Sequence, residues 1–138
     1  VISLHGDLTM RTMHLHEAVL YTPESDLAML GKVEDLRLRL EKLGVTLMGD
    51  ATRSRRDIET EPSLLARMES PIWSMWNATS APSESTRASY LKAGQAFEKF
   101  LADLRIVQND LEQTEKQLND LGAPYTPGRM QIPDWKLD

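Results

Sequence analysis

Apolar residues recur at Met29, Val33, Leu36, Leu40, Leu43 and Leu47, in steps of four and three. That spacing puts them on one face of a helix, and Asp35 with Arg39 and Glu34 with Arg37 pair along the wet face. The predicted helix runs from Thr22 to Met48, with Pro23 in its first turn, Ser25 or Thr22 as cap and Gly49 as stop. Gly31 and Gly44 each weaken it by about 1 kcal/mol relative to alanine, so packing must hold it. The stretch from Asp50 to Pro62 has no periodicity and reads as a surface connection.

A second seam follows at Leu65, Met68, Ile72 and Met75, broadened by Trp73 and Trp76, with Pro71 expected to kink or interrupt the helix. Pro82 suits the first turn of a third helix capped by Ser80 or Thr79, making a tight antiparallel hairpin with the second. The third helix dominates the pattern. Tyr90, Ala93, Phe97, Phe100, Leu104, Val107, Leu111, Thr114, Leu118 and Leu121 keep a heptad rhythm until Gly122 and Pro124 end it. Pro82 to Leu121 would extend ~60 Å, roughly 24 Å more than the first helix, so its seam needs shared cover.

The first 20 residues are harder to read. Asp7 fits the cap of a short helix carrying Leu8, Leu15 and Val19, although Thr9 to His16 partly alternates like a strand. The predicted fold is all-α: an elongated antiparallel three- to four-helix bundle with one long C-terminal helix. The strong helices are expected near 25–48, 63–79 and 82–121, with Leu40, Phe97 and Leu104 fully buried. The predicted organisation is a helical N-terminal segment over 1–21, a bundle over 22–124 and an irregular tail over 125–138.

Composition narrows the chemistry. None of the 138 residues is cysteine, which removes disulfides, thiolate metal sites and cysteine nucleophiles together. Sixteen Lys and Arg against 21 Asp and Glu leave a formal charge of −5, the wrong sign for a nucleic-acid surface. No run approaches the roughly 18 apolar residues of a membrane helix, so neither nucleic acid nor membrane is an expected partner. The start at Val1 reads as that of a processed or excised piece.

Candidate sites are few. On a helix His14 and His16 point about 200 degrees apart and diverge, so with His5 they are expected to be exposed side chains rather than metal ligands. Arg53, Arg55 and Arg56 suit an anion, but Asp50, Asp57, Glu59 and Glu61 neutralise them. Trp73, Trp76, Tyr90, Phe97 and Phe100 sit at helical spacing, where core packing is expected before a ligand platform. Asn77-Ala78-Thr79 matches the N-glycosylation triplet, which is common by chance. No nucleophile–base pattern, phosphate loop or inward pair of acids stands out, so no enzyme activity and no cofactor are expected.

Three stretches carry a resemblance: GDATRSRRDIETEPS, WNATSAPSESTRASYLKAGQAF, and LNDLGAPYTPGR with IPDW. They resemble the C-terminal helical region of large bacterial proteins with sortilin-like, BNR-type β-propellers, often labelled glycosyl hydrolases. The matching positions include Gly49, Asp50, Thr52, Arg56 and Pro62, then Trp76 to Pro82 apart from Asn77 and Ala78, Tyr90 and Phe97, then Gly122 to Arg129 apart from Tyr125, and Pro133 and Trp135. Two features depart from the pattern: Pro71 inside the second helix, and the first 20 residues. These motifs are structural punctuation, so the resemblance carries over no catalytic residue. It implies a non-catalytic accessory or interaction domain of an exported, extracytoplasmic protein, partnered by the β-propeller of the same parent chain. The alternative is a free-standing module that self-associates with a second copy through the long helix. In either case the expected interface is the end of the seam at Leu111, Leu118 and Leu121, unless the N-terminal segment covers it.

Overall fold

In a computed structural model, residues 1–56, 59–76, 81–123 and Trp135 are described. The protein is an all-α helical bundle with no strand among these residues. Its helices are α1 (Ile2–Leu20), α2 (Leu27–Met48), α3 (Ala51–Ser54), α4 (Leu64–Trp76) and the long α5 (Glu84–Asp120). The chain divides into two compact units, Val1–Lys42 with Ala102–Pro133, and Leu43–Leu101 with Asp134–Asp138.

The first unit packs α1 and the first two-thirds of α2 against the second half of α5. Arg39 meets Asp110 and Lys32 meets Gln117, so α2 and α5 run antiparallel. His5 meets the Leu40 carbonyl across the short α1–α2 connection, which makes that pair antiparallel as well. The core is one layer of aliphatic side chains: Leu4, Leu8 and Leu15 from α1, Val33, Leu36 and Leu40 from α2, and Leu104, Val107, Leu111 and Leu118 from α5. The N-terminal segment is therefore a helix of five turns. It begins at Ile2, with no side-chain cap at Val1, and Asp7 lies in its second turn rather than at its end.

The α1–α2 connection reassigns the expected caps. Thr22 Oγ1 donates to the Ala18 carbonyl and Ser25 Oγ to the Val19 carbonyl, so both close the C-terminus of α1. Asp26 starts α2 instead, its carboxylate accepting the Met29 amide at 2.8 Å. At the other end Gly49 adopts φ +90° and its amide reaches Val45, the left-handed stop that the sequence predicts. Gly122, at φ +76°, ends α5 in the same way, with the Ala123 amide on the Leu118 carbonyl.

The second unit holds the end of α2, α3, α4 and the first half of α5, around Leu47, Leu64, Ala93, Phe100 and Leu101. Asp50 caps the single turn of α3 through the amides of Thr52 and Arg53, so a helical turn opens the expected plain connection. Ser63 caps α4, and Ser83 caps α5 by accepting the Thr86 amide. The alternative caps Thr79 and Ser80, the Asn77 triplet and the tail from 124 to 134 lie outside the described residues. Pro71 sits inside α4, buried, without ending it.

Two expectations about burial fail here. The buried positions of α4 are Leu64 and Pro71, with Met68 half-buried, whereas Ile72 and Met75 are exposed and Leu65 half-buried. The reason lies in the sequence. Leu64, Met68, Pro71 and Met75 are spaced four-three-four and Leu65, Met68, Ile72 and Met75 three-four-three, both helical rhythms, and the helix turns Leu64 and Pro71 inward. Phe97 of α5, expected to be fully buried, is half-buried, with the Trp135 ring edge-on at 5.0 Å.

Candidate interaction surface

Most of the seam end at Leu111, Leu118 and Leu121 is covered within the chain. Leu111 is 0% and Leu118 1% exposed, because the five-turn α1 lies in the same unit and lends its own leucines to that core. Only Leu121, 36% exposed, reaches the rim.

The polar groups of the first unit serve packing. Arg11 is 2% exposed, and its Nε and Nη2 donate to the two Glu115 oxygens at 3.0 and 2.7 Å, a bidentate pair joining α1 to α5. Burial disfavours its charge, but the bond to Glu115 and the fields of Glu115, Asp7 and Glu112 outweigh it and raise its pKa above the ordinary arginine value. Asp7 Oδ2, 4.0 Å from Arg11, is buried with no hydrogen-bond partner among the described residues.

The histidines do not converge. His5 is buried, 2.8 Å from the Leu40 carbonyl through Nε2, and so carries its proton there, while His14 is exposed and His16 half-buried. Among the described residues no three His, Cys, Asp or Glu side chains are grouped to hold a metal. Nor is any helix among them long and apolar enough to cross a membrane.

A cleft of about 620 Å³ between the end of α2 and the start of α4 is lined by Asp50, Arg53, Glu61 and Arg67 among others. Its cations are committed, Arg53 to Asp50 at 3.9 Å and Arg67 to Glu61 at 2.9 Å. This internal pairing is what the alternation of signs around Arg53 suggests. Arg55 and Arg56 are exposed, and Asp57 lies outside the described residues.

The distinctive surface is apolar, and it lies where core packing is expected. Trp76 is 80% and Trp73 63% exposed, their rings 6.4 Å apart on α4. Ile72, Met75, Tyr90 and Leu91 are exposed beside them. Met75 opens on Thr86, Arg87, Tyr90 and Leu91, while Ala66, Arg67 and Ser70 open on Ser89 and Lys92, so α4 and the start of α5 are antiparallel neighbours with a groove on each flank. Ile72 and Trp76 lie on the flank of α4 away from Arg67 and Ser70, on the Tyr90 side. That flank carries an apolar hollow of about 440 Å³, bounded by Met75, Pro82, Thr86, Arg87, Tyr90 and Leu91.

A second bare apolar stripe runs along α1, where Ile2, Met10, Met13 and Leu20 face solvent while the opposite side fills the core. A helix apolar on both sides is ordinarily covered on both. The sequence signal for these faces was available: the adjacent pairs Leu64-Leu65 and Pro71-Ile72 give α4 more apolar positions than one seam can bury. Compared with family models, curated proteins and solved structures, the chain matches none.

Proposed function

We propose that this chain is a non-catalytic helical accessory domain that docks against other protein surface. The observation that carries the reading is the bareness of large apolar side chains in both units: Met10, Met13 and Leu20 on α1, and Ile72, Trp73, Trp76, Tyr90 and Leu91 on α4 and α5. Soluble monomers seldom leave apolar patches beyond about 300–600 Å² uncovered, and two such faces on one small domain suit a module that works in contact with something larger. Among the described residues the hollow is lined mainly by Met75, Pro82, Leu91 and the Tyr90 ring, with Thr86 and Arg87, which favours an apolar protein surface over a sugar with its many hydroxyls. The resemblance of the helical hairpin and tail supplies the setting: an exported bacterial protein whose β-propeller is the natural partner for the α1 face.

Site-specific photo-crosslinking in the native host tests the reading. A benzophenone side chain at position 13 or 73 is expected to give discrete adducts with one polypeptide partner or with another segment of the parent chain. The same group at Lys116, exposed on the polar side of α5, serves as the control. Adducts no more specific at 13 and 73 than at 116 would reject docking at both faces.

A further inference from the structure

The geometry points to a second copy of this chain as the occupant of the α4–α5 face, in a two-fold pair where Trp76 of each copy enters the other's hollow beside Tyr90. This rests on the docking reading above and names its partner.

Three observations favour a like partner. The first is shape: the projecting indole of Trp76 directly follows Met75, which bounds the apolar hollow. About 440 Å³ is ample for one indole ring system, and a two-fold axis between knob and hollow satisfies both at once, as isologous contacts require. An unrelated partner would have to supply both a matching hollow and a matching knob.

The second observation is charge. Arg87 borders the hollow, and by helical register Glu69 lies on the face of Ile72 and Trp76 and Glu84 on that of Leu91; all three are exposed and none is in a salt bridge with another described residue. A face with both signs at its rim complements itself when rotated onto a copy, and Arg87 is placed to stack on an incoming indole. An anionic lipid surface would be repelled by the two glutamates.

The third is area. Weighting side chains of about 150–250 Å² by their exposure, the face offers roughly 500–700 Å². Stable pairs begin at about 600 Å² per partner, so the face is of the right size and leaves little over. Tryptophan at the centre of such an area is the usual energetic anchor.

The test measures mass by light scattering and sedimentation across concentration on the full chain, with circular dichroism verifying helicity. The wild-type chain is expected to approach twice its monomer mass. Trp76→Ala removes the knob and Leu91→Trp fills the hollow. Each should weaken self-association on the order of thirtyfold or more at unchanged helicity. An equimolar mixture of the two should recover association partway, since the intact Trp76 of the Leu91→Trp chain meets the open hollow of the Trp76→Ala chain. Arg87→Glu, an exposed change with no fold to lose, serves if either variant unfolds, and it too should weaken the pair. A wild-type monomer at every concentration, a dimer indifferent to these changes, or two monomeric variants that do not recover on mixing would each overturn the proposal. A monomer whose position 73 still crosslinks one foreign polypeptide would remove the second copy and leave docking standing, whereas a monomer without specific adducts at 13 and 73 would remove both.

Discussion

Replacing Arg11 with methionine isolates the buried ion pair that joins α1 to α5. Methionine keeps most of the volume of the arginine stem, so packing changes little while the guanidinium is lost. What remains is Glu115 with two oxygens deprived of their donors, and Asp7 deprived of the cation 4.0 Å away. Breaking a buried pair from one side typically costs about 3–5 kcal/mol. Glu115 retains 18% exposure, so water relieves part of the penalty, and about 2–4 kcal/mol is expected. Removing both partners in Arg11→Met with Glu115→Leu replaces the pair with apolar volume and should return stability to within about 1 kcal/mol of wild type. Urea unfolding followed by circular dichroism reads the difference from the midpoint at constant slope. A single mutant costing less than about 1 kcal/mol, or a double mutant no better than the single, would show that the pair is not held as the geometry requires.

Other substitutions separate core from surface. Leu104→Ala, at a fully buried site between helices, should cost about 2–5 kcal/mol, whereas Trp73→Ala should leave the urea midpoint of the monomer within about 0.5 kcal/mol of wild type. Asp7→Leu removes a buried oxygen that lacks a partner, and should hold or raise the melting temperature despite the loss of a charge beside Arg11. Asp26→Ala is expected to cost about 1 kcal/mol by uncapping α2, while Ser25→Ala acts on the end of α1, so amide exchange should rise at the first turn of α2 only in the former. Gly49→Ala would meet Ser63 Cβ only at 3.6 Å, so its cost of about 1–2 kcal/mol should come from the positive φ and be smaller for Gly49→Asn.

The all-α fold was legible because heptad spacing on α2 and α5 is long and unbroken, and the stops at Gly49 and Gly122 follow from their need for positive φ. The register of α4 was not legible. Leu64 and Leu65 differ by one step around the helix, as do Pro71 and Ile72, and only tertiary packing decides which pair turns inward. That decision leaves Ile72, Trp73 and Trp76 exposed on α4. The cover over Leu111 and Leu118 was hidden for another reason. Arg11 and Thr12 interrupt the apolar face of α1 and obscure its periodicity, yet one reaches Glu115 and the other the Leu8 carbonyl within the same helix. The caps went astray because Thr22, Ser25 and Asp26 all suit a helix start, and nothing local tells that two of them close the preceding helix.

The crowded connection between α1 and α2 also bears on how the first unit is reached in time. His5 and Leu40 are 35 residues apart, but Lys32 and Gln117 are 85 apart and Arg11 and Glu115 are 104 apart. Closing the shorter loop sacrifices less chain entropy, and the hydroxyls of Thr22 and Ser25 with the carboxylate of Asp26 hold its turn from within. The α1–α2 hairpin is thus the expected nucleus, onto which the later-synthesised end of α5 condenses. Stopped-flow kinetics should then show Asp26→Ala slowing refolding, while Leu118→Ala chiefly hastens unfolding. Until α5 arrives, Leu8, Leu15 and Leu36 stand open to water, and it is in that interval, before the native state exists, that the chain is most exposed to aggregation.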